Sequence, residues 1–164
     1  MSKQLEDKAV ANLPETARAW LTEDVAYIIT REERCAFLKL DYDEEREEFV
    51  EQFWNRRSPN PDSLENNFKE EHYRRIVFAN DKFGTQIPGW RTDRGRIYIL
   101  FGPPDKTDSF PTGGCPDVGP RGPEEGCGMF RHLPWEQWQY KYIEGDGVNV
   151  NLEFIDPEIG RAHV

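Results

Sequence analysis

Cysteine and long apolar runs are both scarce in this sequence. It has three Cys in 164 residues, and an odd number leaves at least one of them outside any set of disulfides. No two Cys are separated by the two residues that zinc sites commonly show. No stretch approaches the roughly 18 consecutive apolar residues of a membrane span. We therefore predict a soluble chain without a disulfide framework, a structural zinc site or membrane insertion.

Positive charge is scarce as well. The chain has 21 Lys and Arg against 31 Asp and Glu, which gives a net charge of −10. Such a charge opposes attraction to phosphate backbones, so we expect no nucleic-acid partner. The N-terminal residues do not combine a charged segment with a following apolar one, as a secretory signal does. The sequence therefore leaves the cellular compartment open.

The motifs of common catalytic and metal sites are also missing. No Ser lies in a nucleophile-elbow sequence, and neither His132 nor His163 has a second ligand at helical spacing. The acidic residues within 41–51 lack the alternating ligands and central Gly of a calcium loop. His72 falls on an apolar helical stripe, which predicts a core histidine bonded to a neighbour. We predict no metal site and no cofactor.

Aromatic residues make up 13% of the chain, enough to build the core of one packed domain. Residues 1–14 are polar and aperiodic, which predicts a frayed leader. Thr30 and Glu33 have the spacing of a capping box, which marks the start of a helix. Apolar residues at helical spacing then predict three helices, at 31–40, 43–57 and 63–83.

The spacing of apolar residues changes after residue 88. The apolar, β-branched segment 96–101 predicts a strand covered on both faces. Alternating residues predict two further strands at 138–143 and 148–155, joined by a four-residue hairpin loop. Residues 102–134 are rich in Gly and Pro and show no regular spacing of apolar residues, which predicts a long loop. Together these elements predict an α+β domain over 15–156, with N-terminal helices packed on a small antiparallel sheet, and a tail at 157–164.

One segment carries a specific family resemblance. The sequence GWRTDRGRIYILFGPPD at residues 89–105 resembles the signature of the bacterial GWxTD-domain family, whose namesake residues are Gly89, Trp90, Thr92 and Asp93. Residues 68–75 are also similar to that family, and the resemblance covers roughly residues 18–156. It implies a fold unit without an established activity, cofactor or catalytic residue. Many similar proteins look exported and continue into further β-rich sequence, so we expect partners that are other proteins or further domains of a longer chain.

Charged residues around this motif form the candidate site. Three arginines lie within six residues, beside Trp90 and Tyr98, and such guanidinium groups can hold a carboxylate or phosphate. The proposed ligand-binding set combines these arginines with nearby carboxylates: Arg91, Arg94, Arg96, Glu70, Glu71, Asp93 and Asp105. The alternative is that the carboxylates pair with the arginines and fix a rigid turn, and we favour this structural interpretation.

Two functions follow from these interpretations. The favoured one is a noncatalytic interaction or scaffolding module, because no complete catalytic constellation is present in the sequence. The alternative is an enzyme or a small-anion-binding domain that uses the arginine-rich turn and the carboxylates of the third predicted helix.

The cysteines provide a first test. Cys115 and Cys127 belong to the predicted Gly- and Pro-rich loop, so we expect that under oxidising conditions their Cα atoms can approach to about 5.5 Å and form a disulfide. The bond is expected to stabilise the fold by up to about 3 kcal/mol, and Cys35 is expected to stay reduced. Mass spectrometry of the unreduced, air-exposed protein checks this prediction. Free thiols at both loop positions would contradict it.

Overall fold

The computed structural model describes residues 2–60, 62–63, 65–114 and 133–155. Their helices are α1 (Lys3–Ala11), α2 (Glu15–Ala19), α3 (Arg31–Phe37), α4 (Asp43–Arg57), α5 (Asn67–Phe83) and α6 (Asp93–Phe101). Their strands are β1 (Lys106–Phe110), β2 (Trp135–Ile143) and β3 (Gly147–Ile155). The helices lie mainly in the N-terminal part and the sheet is antiparallel, which confirms the predicted α+β class. The chain divides into a helical unit, Met1–Leu100, and a sheet unit, Phe101–Val164.

The predicted helices occur with modest changes at their ends. The capping box at Thr30 and Glu33 starts α3, as predicted, but the helix ends at Phe37 and not at residue 40. Helix α4 has the predicted bounds. Helix α5 begins at residue 67 and not at 63, because the side chain of Asn66 accepts a hydrogen bond from the Lys69 amide and caps the first turn.

The start of the chain is helical instead of the predicted frayed leader. Helix α1 is tied to the rest of the helical unit by an ion pair, in which Nε of Arg34 lies 2.6 Å from Oε1 of Glu6. Val10 packs against the core. The packing of Val10 and the ion pair with Arg34 therefore stabilise this helix. Neither interaction produces a regular spacing of apolar residues in the sequence.

Aromatic side chains build the core of the helical unit. Trp20 belongs to a π-helical turn, Trp20–Asp24, that follows α2. Its ring lies 4.9 Å from that of Phe37 and 5.2 Å from that of Phe53, measured between centroids. Leu21 and Val25 are fully buried beside them. The core therefore joins α3 and α4 to the segment that follows α2.

The predicted strand at 96–101 is wrong, because these residues belong to α6. The β-branched and aromatic run has β propensity, but its ends carry helix signals. Thr92 caps the first turn through its hydroxyl, which accepts a hydrogen bond from the Gly95 amide at 3.0 Å. Gly102 has a positive φ of 78°, and Gly in this conformation followed by Pro is a common helix ending. Local capping therefore overrides the propensity of the run.

The sheet unit contains the predicted hairpin and one strand that was not predicted. Strands β2 and β3 pair antiparallel, with Trp138 opposite Leu152 and Tyr140 opposite Val150. Strand β1 lies within the segment predicted to be loop and pairs antiparallel with β2, which gives the order β1-β2-β3. Trp138 and Tyr140 are buried, and the Tyr140 hydroxyl donates to the Gly102 carbonyl at 3.0 Å. The predicted Cys115–Cys127 pair and the tail at 157–164 lie outside the described residues.

One ion-pair network joins the start of α3 to the end of α4. Both terminal nitrogens of Arg57 reach the carboxylate of Glu33, at 3.0 and 2.7 Å. Arg56 adds a third bond to the same carboxylate, which also accepts from the Thr30 amide. Burial alone would raise the pKa of Glu33, but these hydrogen bonds outweigh it and lower the pKa from 4.5 to about 2. The charged form of Glu33 is therefore favoured in the folded state.

The low pKa of Glu33 predicts a pH-dependent contribution to stability. A folded pKa below the unfolded one stabilises the fold above about pH 4.5, and the contribution is lost as the pH falls toward 2. Glu33→Gln should lower the free energy of unfolding at neutral pH by about 1–3 kcal/mol, and its deficit relative to the parent should shrink in acid. Urea unfolding across this pH range measures the difference. Glu32→Gln, at the exposed neighbouring position, is the matched control and should show no such trend; an equal effect in both variants would refute the assignment.

Candidate functional site

The motif segment forms the junction between α5 and α6. Gly89–Arg91 is a single turn of 3-10 helix, and residue 89 lies directly against the backbone of α5. A Cβ at Gly89 would be 1.9 Å from the carbonyl oxygen of Ala79, and a Cβ at Gly95 would be 1.9 Å from the carbonyl oxygen of Gly89. Such separations are far inside van der Waals contact. Glycine is required at both positions because two backbone segments touch there.

The motif threonine joins the turn to the next helix. The Thr92 hydroxyl donates to the Gly89 carbonyl at 2.7 Å and accepts from the Gly95 amide at 3.0 Å. It thereby satisfies one otherwise unpaired amide of the first turn of α6. Asp93 follows as the first residue of that helix, where a carboxylate interacts favourably with the helix dipole.

Two distant side chains hold the motif tryptophan. The Asn80 side chain accepts a hydrogen bond from the Trp90 amide at 2.9 Å. The Tyr27 hydroxyl donates to the Trp90 carbonyl at 2.8 Å, and the two rings lie 5.9 Å apart. Burial raises the pKa of Tyr27, while the nearby charges of Arg96 and Arg91 act in the opposite direction. Tyr27 therefore stays protonated and serves as a hydrogen-bond donor.

The arginines predicted to bind an anion have different surroundings. Arg96 is exposed, and its guanidinium carbon lies 5.7 Å from the centre of the Tyr27 ring, at cation–π distance. Arg91 is exposed and acts electrostatically on the same tyrosine. Arg94 is half-buried and interacts with other groups of the protein. The structure thus gathers Arg91, Arg96 and Asp93 around Tyr27.

The carboxylates predicted to belong to the ligand-binding set lie in different parts of the structure. Glu70 is exposed in the first turn of α5. Glu71 forms ion pairs with Arg74 at 2.7 Å and Arg75 at 3.0 Å on the same helix. Hydrogen bonds from Arg75 foremost lower the pKa of Glu71. Asp105 belongs to the sheet unit, where its carboxylate accepts from the Lys141 amide at 2.7 Å.

A cavity of about 330 Å³ lies among α4, α5 and the end of α6. Most of its lining is apolar, but it also contains three charged side chains, and we refer to it as the polar cavity because of them. Its charged lining consists of Glu71, Arg57 and Arg75. Arg75 also donates to the carbonyls of Ile99 and Leu100 at 3.3 and 3.5 Å, where α6 nears its end. The cavity therefore combines one predicted carboxylate with two arginines from outside the motif. Both of these arginines already bind a carboxylate.

His72 forms part of the wall of this polar cavity. It is buried, and its Nε2 lies 2.6 Å from the carbonyl oxygen of Asp24, so Nε2 carries the proton. Burial lowers the pKa of His72, which keeps the ring neutral near pH 7. The neighbouring Tyr73 hydroxyl donates to the Asp24 carboxylate at 2.9 Å. The prediction of a core histidine bonded to a neighbour is confirmed.

Several residues that shape these sites were not predicted. Arg75 stands four residues after Glu71, a spacing that predicts an ion pair on one helix face. Arg57 ends α4, and its partner Glu33 is 24 residues away in the sequence. Tyr27 and Asn80 have no local signal, since their partner Trp90 is 63 and 10 residues away. Only the three-dimensional packing identifies those two.

The described residues hold neither a metal-binding cluster nor a membrane-spanning helix. Within residues 2–60, 62–63, 65–114 and 133–155, no group of three or more His, Cys, Asp or Glu side chains could hold a metal ion. None of the helices in the described part of the chain combines the length and apolar character needed to cross a membrane.

Comparison with known proteins identifies one family match. The family model of the GWxTD domain matches residues 9–113. This range contains most of the helical unit and β1 and ends before β2. No functionally curated protein and no solved structure is significantly similar to the chain.

The geometry of Thr92 predicts the effect of removing its hydroxyl. Thr92→Ala should lower the free energy of unfolding by about 1–2 kcal/mol, because the Gly95 amide loses its acceptor and α6 loses its cap. Thr92→Ser keeps the hydroxyl and should stay within about 0.5 kcal/mol of the parent. Urea unfolding of the three proteins provides the comparison. An alanine variant as stable as the parent would show that the cap is unimportant.

Proposed function

Because the chain belongs to the GWxTD-domain family, we propose that its domain is a noncatalytic interaction or scaffolding module. The supporting observation is that the motif is built into the α5–α6 junction. Gly89 and Gly95 allow backbone contact, Thr92 caps a helix, and Trp90 is held by two distant side chains. These residues of the motif thus each have a structural role.

The surface of α5 supports an interaction role. Phe68, Val77 and Phe78 are exposed by 38%, 67% and 37%, although they belong to the helix that precedes the motif. Large apolar side chains of this kind are the groups that protein partners bury. We propose other proteins, or further domains of a longer chain, as partners. The net charge of −10 argues against nucleic acid.

A small-anion-binding or enzymatic function is the second candidate. The polar cavity favours it, since Arg57, Arg75 and the neutral His72 face one space of about 330 Å³. Perturbed titratable groups beside a cavity are a recognised mark of functional sites. Against this stands the pairing of Arg57 with Glu33 and of Arg75 with Glu71. An anion would have to compete with these internal carboxylates, so we place this function second.

Thermal unfolding with added anions distinguishes the two candidates. If the module is noncatalytic, phosphate, sulfate and dicarboxylates should not raise the Tm of the parent more than chloride does at the same low ionic strength, since no folded-state site binds them. Arg96→Ala should destabilise slightly, by about 0.5–1 kcal/mol, through loss of its contact with Tyr27. Arg96 is exposed, so the larger cost of a buried ion pair does not apply.

Matched variants separate charge from contact in this experiment. Arg96→Lys keeps the charge, and Arg75→Ala removes a guanidinium of the polar cavity. Anion stabilisation that is present in the parent and absent from Arg75→Ala or Arg96→Ala would favour the anion-binding function and overturn the noncatalytic one.

A further inference from the structure

A second and larger cavity lies elsewhere in the helical unit. It has a volume of about 720 Å³ and lies among α2, α4 and the start of α5; we refer to it as the α4 cleft. Its size is within the range of ligand-binding sites. None of the motif residues discussed above lines it.

The floor of the α4 cleft is apolar and aromatic. Trp20, Phe37 and Trp54 are buried there, and Val50 of α4 lies beside them. Buried aromatic side chains of this kind offer a large contact area to an apolar side chain of a partner.

Unpaired donors form the second feature of the α4 cleft. In the described part of the chain, the buried side-chain nitrogens without a hydrogen-bond partner are Nε1 of Trp20, Nε1 of Trp54 and Nε of Arg46. All three residues line this one cleft, and all three atoms are donors. Trp20 and Trp54 are only 7% and 3% exposed. Buried donors are usually paired. These three atoms are shielded from solvent in the free protein, so an acceptor such as a peptide carbonyl reaches them only when a side chain that lines the cleft moves.

The charges at the rim of the α4 cleft select the kind of occupant. Asp43, Glu47 and Glu51 recur every four residues on the face of α4 that lines the cleft. Asp43 forms an ion pair with Arg46, whereas Glu47 and Glu51 are exposed and have no ion pair within the described residues. Lys69 is the opposing cation, and its Nζ lies 6.0 Å from the centre of the Trp54 ring. With a chain charge of −10, the free carboxylates favour a cationic partner.

We propose that the α4 cleft binds a basic, apolar-rich peptide segment of a partner protein. An apolar side chain contacts the aromatic floor, main-chain carbonyls accept from the indole N–H groups, and Lys or Arg side chains pair with Glu47 and Glu51. This binding mode combines a hydrophobic groove with charge selection. The proposal rests on the proposed interaction function and identifies the surface at which the partner would bind.

The probe is a labelled synthetic peptide of alternating leucine and lysine, which places the two residue types on opposite sides of an extended chain and leaves its main-chain carbonyls free to accept hydrogen bonds. Control peptides replace lysine by glutamate or leucine by serine, which removes either the charge complementarity or the apolar face. Fluorescence anisotropy should show binding of the Leu/Lys peptide to the full chain and at least about tenfold weaker binding of each control. Binding of the Lys/Ser peptide at equal affinity would overturn the proposal, because the apolar floor would then have no role.

Helix α4 provides a matched pair of variants. Glu47→Lys/Glu51→Lys reverses the two carboxylates that line the cleft, and Glu44→Lys/Glu48→Lys makes the same change in net charge at positions outside the lining. The first should weaken binding of the Leu/Lys peptide by about tenfold or more, and the second by less than about threefold. Equal weakening would show that the peptide responds only to net charge. If the first variant does not fold, Glu47→Gln/Glu51→Gln tests the same carboxylates and should weaken binding by about fivefold.

Indole resonances test the hydrogen bonds directly. In ¹⁵N-labelled protein, the Nε1–H signals of Trp20 and Trp54 should shift on addition of the Leu/Lys peptide, while that of Trp138, which already donates to Glu136, should not. Failure of any peptide to bind would overturn the cleft assignment. It would leave the proposed noncatalytic function to its own test, since the response of the Tm to anions does not depend on the α4 cleft.

Discussion

The carbonyl oxygen of Ala79 allows no side chain at residue 89, and the junction between α5 and α6 is organised around that contact. Where two backbones approach this closely, water cannot reach the amide and carbonyl groups on the side of the contact, so other groups of the protein must bind them. Asn80, Thr92 and Tyr27 satisfy these groups. The motif residues therefore act together. Gly89 allows the close approach to α5, the amide and carbonyl of Trp90 are both hydrogen-bonded, and Thr92 caps the start of α6.

Arginine has a recurring structural role in the helical unit. Arg34, Arg46, Arg57 and Arg75 each bind a carboxylate and also donate to at least one main-chain carbonyl. The planar guanidinium can bind two acceptors in different directions, which the single ammonium of lysine does less well. These residues connect helices to neighbouring segments of the chain. An arginine near a motif in this chain is thus weak evidence of a ligand site.

Local sequence signals predicted much of the fold. The bounds of α4, the capping box of α3 and the β2–β3 hairpin depend on periodicity and turns, and all three are confirmed. The error at α6 arose because the Ile97–Phe101 run has β propensity, whereas the decisive groups were Thr92 before it and Gly102 after it. The candidate site was harder to predict. Glu71 was identified, but its cavity depends on Arg57 of α4 and Leu100 of α6, which only tertiary packing brings there.

The connections within the sheet differ greatly in length. Strands β2 and β3 are joined by residues 144–146, whereas residues 111–134 separate β1 from β2. Closing the longer segment costs more chain entropy, and that cost must be met before the β1–β2 hydrogen bonds form. The hairpin can therefore assemble as a local unit, with β1 joining it afterwards. Strand β1, which lies near the end of the family-matched region, would then be the last strand to join the sheet. A covalent link between two residues of the segment that connects β1 to β2 would shorten the loop that has to close and would speed this step.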